Sequence, residues 1–166
     1  MGDHPSEVYF YYRSPLGLIK ICGKDGFLTR AIFVEQRPES ELLKSEGIPL
    51  SYLLKNACKQ LDEYFDGKRK KFDLALKPHG TFFQRFAWES LHNIPYGETI
   101  SYLQQAESLG NSKAIRAVGQ ANAKNPIPIF IPCHRVIGKN GSLTGYAGGL
   151  DRKTKLLEME NRFKHE

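Results

Sequence analysis

The sequence predicts two domains of different class, an α/β N-terminal domain over residues 1–78 and a mainly α C-terminal domain with a helix-turn-helix over residues 79–166. Three observations carry this. Before residue 35, runs of aromatic and β-branched residues alternate with Gly- and Pro-containing turns, the pattern of an antiparallel meander. From Thr81 onward the apolar residues recur at helical spacing instead. Between these regimes stands Pro78-His79-Gly80, a break that suits neither element.

Taken in order, Val8 to Tyr12 reads as a first strand, Ser14-Pro15-Leu16-Gly17 as a turn, and Leu18 to Cys22 as a second strand. Gly23-Lys24-Asp25-Gly26 turns the chain again before a third strand from Leu28 to Val34. A helix from about Tyr52 to Phe65 places Leu53, Leu54, Ala57, Leu61, Tyr64 and Phe65 on one stripe and stops at Gly67. Lys68-Arg69-Lys70-Lys71 then leads into an expected strand from Phe72 to Leu76. Sheet plus helix makes a small α/β layer, in which Cys22 and Cys58 read as packing residues.

In the second half, Thr81 is suited to cap a helix that turns Phe82, Phe83, Phe86, Ala87 and Leu91 inward, broken by Ile94-Pro95-Tyr96-Gly97. Ser101 to Leu109 forms a short helix, and Asn111 or Ser112 is expected to cap another running to about Asn122. Two short helices around a Gly-containing turn match a helix-turn-helix, although many helical hairpins look alike. Ala114, Ala117, Gly119 and Ala121 make the second helix slim, which suits a nucleic-acid groove and a tightly packed neighbour equally well. Asp151 is expected to cap a last helix to about Phe163, burying Leu156, Leu157 and Met159.

Composition narrows the class. The chain has 166 residues, three cysteines far apart in sequence, and a net charge of +6. Sparse, unpaired cysteines suit a reducing compartment rather than a disulfide scaffold. No apolar run approaches the ~18 residues of a membrane span, and Asp3, His4 and Glu7 do not suit a signal peptide. A cytoplasmic location is expected, or a nuclear one in a eukaryote. Between Ser108 and Leu150 there is no acidic residue, while Lys113, Arg116, Lys124, Arg135 and Lys139 are present. Such a stretch suits a polyanion surface better than a merely solvated face, because it surrounds the chain's most reactive-looking motif.

That motif is Ile131-Pro132-Cys133-His134-Arg135-Val136. A free thiol has a pKa of ~8.5 and only its thiolate attacks, so a nucleophilic cysteine needs cations or a base beside it. The preceding Pro126-Ile127-Pro128-Ile129-Phe130-Ile131-Pro132 is stiff and apolar, able to present the sulfur from fixed backbone.

Around this core the chain carries Tyr96-Gly97-Glu98-Thr99-Ile100-Ser101-Tyr102, Arg116-Ala117-Val118-Gly119, Ala121-Asn122-Ala123-Lys124-Asn125-Pro126 and Gly145-Tyr146-Ala147-Gly148-Gly149-Leu150. In this order and spacing, across residues 82–160, the sequence resembles the O6-alkylguanine-DNA alkyltransferases. The resemblance implies a ribonuclease-H-like N-terminal domain and a winged-helix-like C-terminal one. It also implies DNA repair by direct damage reversal. The alkyl group of O6-alkylguanine passes irreversibly to Cys133, once per molecule, with O4-alkylthymine as a second candidate substrate.

Residue by residue, the resemblance makes Cys133 the nucleophile, His134 the base acting through a bridging water, and Glu160 the group that orients the imidazole. Tyr102 becomes the proton donor to the departing guanine. Arg116 becomes the finger that fills the stack when the base is extruded, and Asn125 a hinge joining the backbone turns around the cysteine. Tyr146, Ala147 and Gly148 line the base pocket, and Ala117, Arg135 and Val136 complete the expected DNA and base contacts. Many family members carry Ser at the Ala147 position, where this chain has no side-chain hydroxyl. No cofactor is implied. Cys22 and His79 lack the other ligands of the zinc site that some members hold, so no metal is expected. The expected partner is double-stranded DNA bearing O6-alkylguanine, with no membrane and no obligate protein partner, the chain acting as a monomer. A cysteine hydrolase and a non-catalytic helix-turn-helix regulator are the competing readings; a non-catalytic relative with tryptophan at the cysteine position is excluded by Cys133.

Overall fold

The computed structural model describes residues 7–42 and 51–166. The expectation built on Asp3 and His4 lies outside them. The chain divides into two compact units, Met1–Lys77 and Pro78–Glu166.

In the first unit, β1 (Val8–Ser14), β2 (Gly17–Lys24) and β3 (Phe27–Val34) form an antiparallel sheet in that order. Asp25 and Gly26 connect β2 to β3 with φ of 53° and 81°. Two successive positive φ values are what a tight hairpin of matching twist demands, and Asp-Gly accepts them at least cost. Alternation then decides the faces: Ile19 and Ile21 of β2 are buried, as is Tyr12 of β1. A four-residue helix, α1 (Glu39–Leu42), was not expected from the sequence.

Helix α2 (Tyr52–Phe65) starts at Ser51, whose side chain accepts from the Leu54 N–H, and packs on β1 and β2 through Leu54, Ala57, Leu61 and Tyr64. Tyr12 donates to Asp62 at 2.6 Å, tying β1 to this helix. The strand expected over Phe72 to Leu76 does not form; only a parallel bridge between Leu28 and Leu76 remains. The buried Gln60 side chain accounts for the difference. It donates to the Asp73 carbonyl (3.0 Å) and accepts from the Asp73 N–H (2.8 Å), so a helix side chain takes the bonds a ladder would use.

In the second unit, α3 (Phe82–Leu91) begins with a reciprocal cap: Thr81 accepts from the Gln84 N–H, and the Gln84 side chain accepts from the Thr81 N–H. Its buried face is Ala87, Trp88 and Leu91. Phe82 and Phe86, expected inside, are exposed and stacked on each other with ring centroids 6.2 Å apart. The inward direction is set by Trp88, whose indole N–H donates to the Ala121 carbonyl at 2.8 Å, and Phe82 and Phe86 lie on another side of the helix.

Helix α4 (Tyr102–Ser108), capped by Ser101, and α5 (Ile115–Ala123) form the helix-turn-helix. A buried amide pair joins them, Asn122 donating to Gln105 at 2.7 Å, while Gln105 also reaches the Ala87 carbonyl of α3 at 3.2 Å. Neither Asn111 nor Ser112 caps α5. Its N-cap is Ala114, without a side-chain bond, and Asn111 instead accepts from the Lys113 N–H in a turn of its own.

Two-residue strands β4 (Ile100–Ser101) and β5 (Val136–Ile137) pair in parallel, seating the end of the Cys133 segment beside the start of α4. The last helix, α6 (Leu150–Phe163), is entered from Gly149 at φ 91°, so Asp151 lies in the first turn rather than at the cap. Its buried stripe is Lys153, Leu156 and Glu160, whereas Leu157 and Met159 are half-buried. No helix among the described residues is long and apolar enough to cross a membrane.

Candidate active site

Residues 125–132 build the platform. Asn125 is buried and its amide clips the loop at both ends, accepting from the Ile127 N–H (2.9 Å) and donating to the Ile131 carbonyl (2.8 Å). Within the clip Ile129 has φ 74°, a region that costs a β-branched residue about 1–3 kcal/mol. Ile127, Ile129, Phe130 and Ile131 are all buried, and that packing holds the unfavourable backbone in place. Pro132 then leads into a single 3₁₀ turn, Cys133–Arg135. The Cys133 N–H donates to the Ile131 carbonyl at 2.8 Å, so the residue is held from both sides.

The three consecutive side chains of this turn diverge into different work. His134 has no exposed surface, and its Nε2 lies 2.8 Å from Oε1 of Glu160, itself fully buried on α6. Its other ring nitrogen, Nδ1, is buried without a hydrogen-bond partner among the described residues. Arg135 grips the same carboxylate from the other side, Nε donating to Oε2 and a terminal nitrogen to Oε1, both at 2.9 Å. The remaining terminal nitrogen donates to the Ile94 carbonyl at 2.8 Å.

Burial alone would push the Glu160 carboxyl up. His134 and the Arg135 guanidinium outweigh it and hold the group well below the usual carboxylate range. Glu160 is therefore a permanent anion shared by an imidazole and a guanidinium. Arg135, expected to contact DNA, is 6% exposed and its guanidinium bonds point inward. Only inside can an arginine offset a buried carboxylate, and that need takes it from the surface.

Cys133 is itself buried, and burial pushes its thiol up to about 11 against the opposing effects of Asn125 and Lys153. At rest the sulfur is a thiol, not a thiolate. Lys153, not anticipated from the sequence, is 1% exposed and donates to the carbonyls of Val136 (2.7 Å) and Thr144 (2.9 Å). Its signal was available in the register of α6: positions 153, 156 and 160 share one face, so an inward Leu156 implies an inward lysine and glutamate. Val136, expected to touch the base, has a fully buried side chain, leaving its backbone as its route to the site.

Tyr102 opens α4 with its hydroxyl donating to the Thr144 carbonyl at 3.0 Å, the same oxygen that Lys153 uses. Its ring lies along Gly119 of α5, where an added Cβ would sit 3.9 Å away. Tyr146 is buried, its hydroxyl has no hydrogen-bond partner among the described residues, and burial followed by the nearby Cys133 raises its pKa. Ala147 is exposed and Gly148 half-buried beside it. Arg116 and Ala117 do not join the buried cluster; both are exposed on α5. No group of three or more His, Cys, Asp or Glu among the described residues is placed to hold a metal ion.

Comparison with known proteins fits this geometry. Residues 8–78 match the 6-O-methylguanine DNA methyltransferase ribonuclease-like domain, and residues 82–162 match the DNA binding domain of the same family. A methylated-DNA–protein-cysteine methyltransferase of Methanosarcina acetivorans is 46% identical over 152 residues, covering 92% of this chain and 97% of the relative. One from Mycolicibacterium paratuberculosis is 48% identical over 149 residues, covering 90% and 89%. Among solved structures, the O6-methylguanine methyltransferase of Mycobacterium tuberculosis superposes with a TM-score of 0.82 at 43% identity, covering 95% of this chain and 94% of that one. A Mycobacterium tuberculosis structure in complex with DNA gives a TM-score of 0.82 at 42% identity, covering 93% of each chain. A buried His134–Glu160–Arg135 cluster in the turn that carries Cys133 accompanies a helix-turn-helix, and with both halves of the sequence matched this chain is a member of the methylated-DNA–protein-cysteine methyltransferase family.

Proposed function

We propose that this protein reverses alkylation damage in double-stranded DNA by taking the alkyl group of O6-alkylguanine onto Sγ of Cys133, once per molecule. The observation that carries the reading is the buried His134–Glu160–Arg135 cluster in the same 3₁₀ turn as the buried Cys133. In the transfer, the sulfur attacks the alkyl carbon, the C–O6 bond breaks, and its electron pair stays with the purine. A thioether forms, which has no bond that water readily cleaves.

Two protons must move. The Cys133 proton leaves through a bridging water to His134, whose Nδ1 has no hydrogen-bond partner among the described residues. The imidazolium that results is stabilised by Glu160, which Arg135 keeps ionised. The purine takes up a proton from the Tyr102 hydroxyl, which must first release the Thr144 carbonyl. No cofactor enters this balance.

O6 of a stacked guanine is out of reach of a buried sulfur, so the nucleotide must be extruded, at a cost of a few kcal/mol. The exposed Arg116 on α5 supports the finger role, since a planar guanidinium can stack where the base was. Tyr146, Ala147 and Gly148 line the pocket for the extruded base. At Ala147 only the backbone N–H is available to a purine acceptor, a contact that does not depend on a side-chain hydroxyl. Asn125 acts as the hinge beneath the nucleophile. The protein acts as a monomer in the cytoplasm, or in the nucleus of a eukaryote.

The deciding experiment incubates the protein with duplex DNA carrying labelled O6-methylguanine and weighs both products. Expected is one added methyl on the peptide containing Cys133, no turnover beyond one equivalent, and none in Cys133→Ser, which still binds DNA. Repeated turnover would instead indicate a hydrolase, and binding without transfer a regulator.

A further inference from the structure

The outward side of α5 is made of a few residue types. Lys113 and Lys124 flank the helix, Arg116, Ala117, Gln120 and Ala123 stand along it, and all six are exposed. The cations suit phosphates, and the alanines allow close approach without offering a hydrogen bond. Gln120 is different. It is the one exposed side-chain amide on α5, and that side chain hydrogen-bonds to nothing among the described residues.

An amide is poorly suited to neutralising phosphate, which offers only acceptors and negative charge. It both donates and accepts, which is what distinguishing base edges requires. Its backbone is also unusually well held. The next residue, Ala121, accepts the Trp88 indole N–H at 2.8 Å, and the one after, Asn122, is locked to Gln105 at 2.7 Å. A reader fixed by buried anchors loses little freedom on binding.

Spacing places it relative to the lesion. Residues i and i+4 on a helix stand about 5–6 Å apart at Cβ, and successive bases on a strand are about 3.4 Å apart along the axis. With Arg116 filling the gap left by the extruded guanine, Gln120 therefore meets the neighbouring base pair. We propose that Gln120 is a specificity-determining residue, its amide reading the base pair next to the lesion so that repair rate depends on flanking sequence. This rests on the proposed function, Arg116 occupying the stack.

The test measures single-turnover alkyl transfer at limiting protein concentration from duplexes that differ only in the base pair on either side of O6-methylguanine. Wild type and Gln120→Ala are compared, with free O6-benzylguanine as a substrate that has no flanks. Wild type is expected to show about a fivefold spread of rates across flanks, the size of one base-edge contact. Gln120→Ala is expected to collapse that spread and to leave the free-base rate unchanged. An equal spread in both proteins, or none in wild type, overturns the inference while normal reaction with O6-benzylguanine leaves the proposed function standing. Uniform slowing across all flanks makes Gln120 a backbone contact and also overturns it. If wild type alkylates Cys133 with neither substrate, the proposed function fails and takes this inference with it.

Discussion

Replacing His134 by Gln tests whether the proton of Cys133 must be removed during attack. Burial places the thiol at about 11. At pH 7.5 such a group is ionised to only about 3 parts in 10,000, so waiting for spontaneous ionisation is slow by about 3,000-fold. General-base help is ordinarily worth about 100- to 10,000-fold, a range that brackets this penalty. Glutamine keeps an N–H to offer Glu160 and so preserves the buried pairing, but it cannot take a proton.

Single-turnover benzyl transfer from O6-benzylguanine, followed by intact mass, is expected to fall by about 1,000-fold at pH 7.5. The variant should then recover about tenfold per pH unit up to roughly pH 10, because each unit multiplies the thiolate fraction by ten. Wild type should gain far less over the same range. A loss under tenfold, or a variant profile that levels near pH 8.5, would show an ordinary or pre-ionised thiol and refute the reasoning.

Other outcomes follow from the same arrangement. Glu160→Gln strands the buried Arg135 guanidinium without its anion, and breaking such a pair costs about 3–5 kcal/mol. Calorimetry at neutral pH should show Tm lowered by roughly 6–20 °C, and a change within error would mean the pair contributes nothing. Because the folded carboxyl of Glu160 titrates below its unfolded value, this stabilisation is complete above about pH 4.3 and is lost as pH falls further. The Tm gap between wild type and Glu160→Gln should therefore be constant from pH 8 to about 5 and close in stronger acid. Arg116→Ala should slow repair of duplex DNA far more than reaction with free O6-benzylguanine, since only the duplex needs its stack refilled; equal slowing would remove the finger role. Binding to duplex by Cys133→Ser should weaken steeply with added salt through counterion release, measured by fluorescence anisotropy, and a flat response would contradict a phosphate-gripping face.

Much of this protein was legible without coordinates. Strand faces follow from alternation, the Asp25-Gly26 turn from its residue types, and the Thr81 cap from a side chain that bonds only to a nearby N–H group. The Cys133 motif was likewise local: six residues whose chemistry makes sense side by side. What failed were statements about inside and outside. Phe82 and Phe86 are apolar yet exposed, and Arg135, expected at the DNA surface, is buried. Gln105 and Asn122 gave no sign of pairing across the helix-turn-helix.

The division has a physical reason. Hydrogen bonds between residues a few positions apart are written in the order of the chain, so element types and their ends can be read from it. Whether a charge is tolerable inside depends on what arrives from elsewhere in the fold. Glu160 stands 26 residues from His134 and 25 from Arg135, and only when α6 packs on the 3₁₀ turn does its carboxylate gain both partners. The sequence by itself singled out Cys133 and His134 as the candidate nucleophile and its neighbour. The tertiary structure decided that the arginine beside them faces inward, that burial raises the thiol's pKa, and that a buried lysine bonds the Val136 and Thr144 carbonyls.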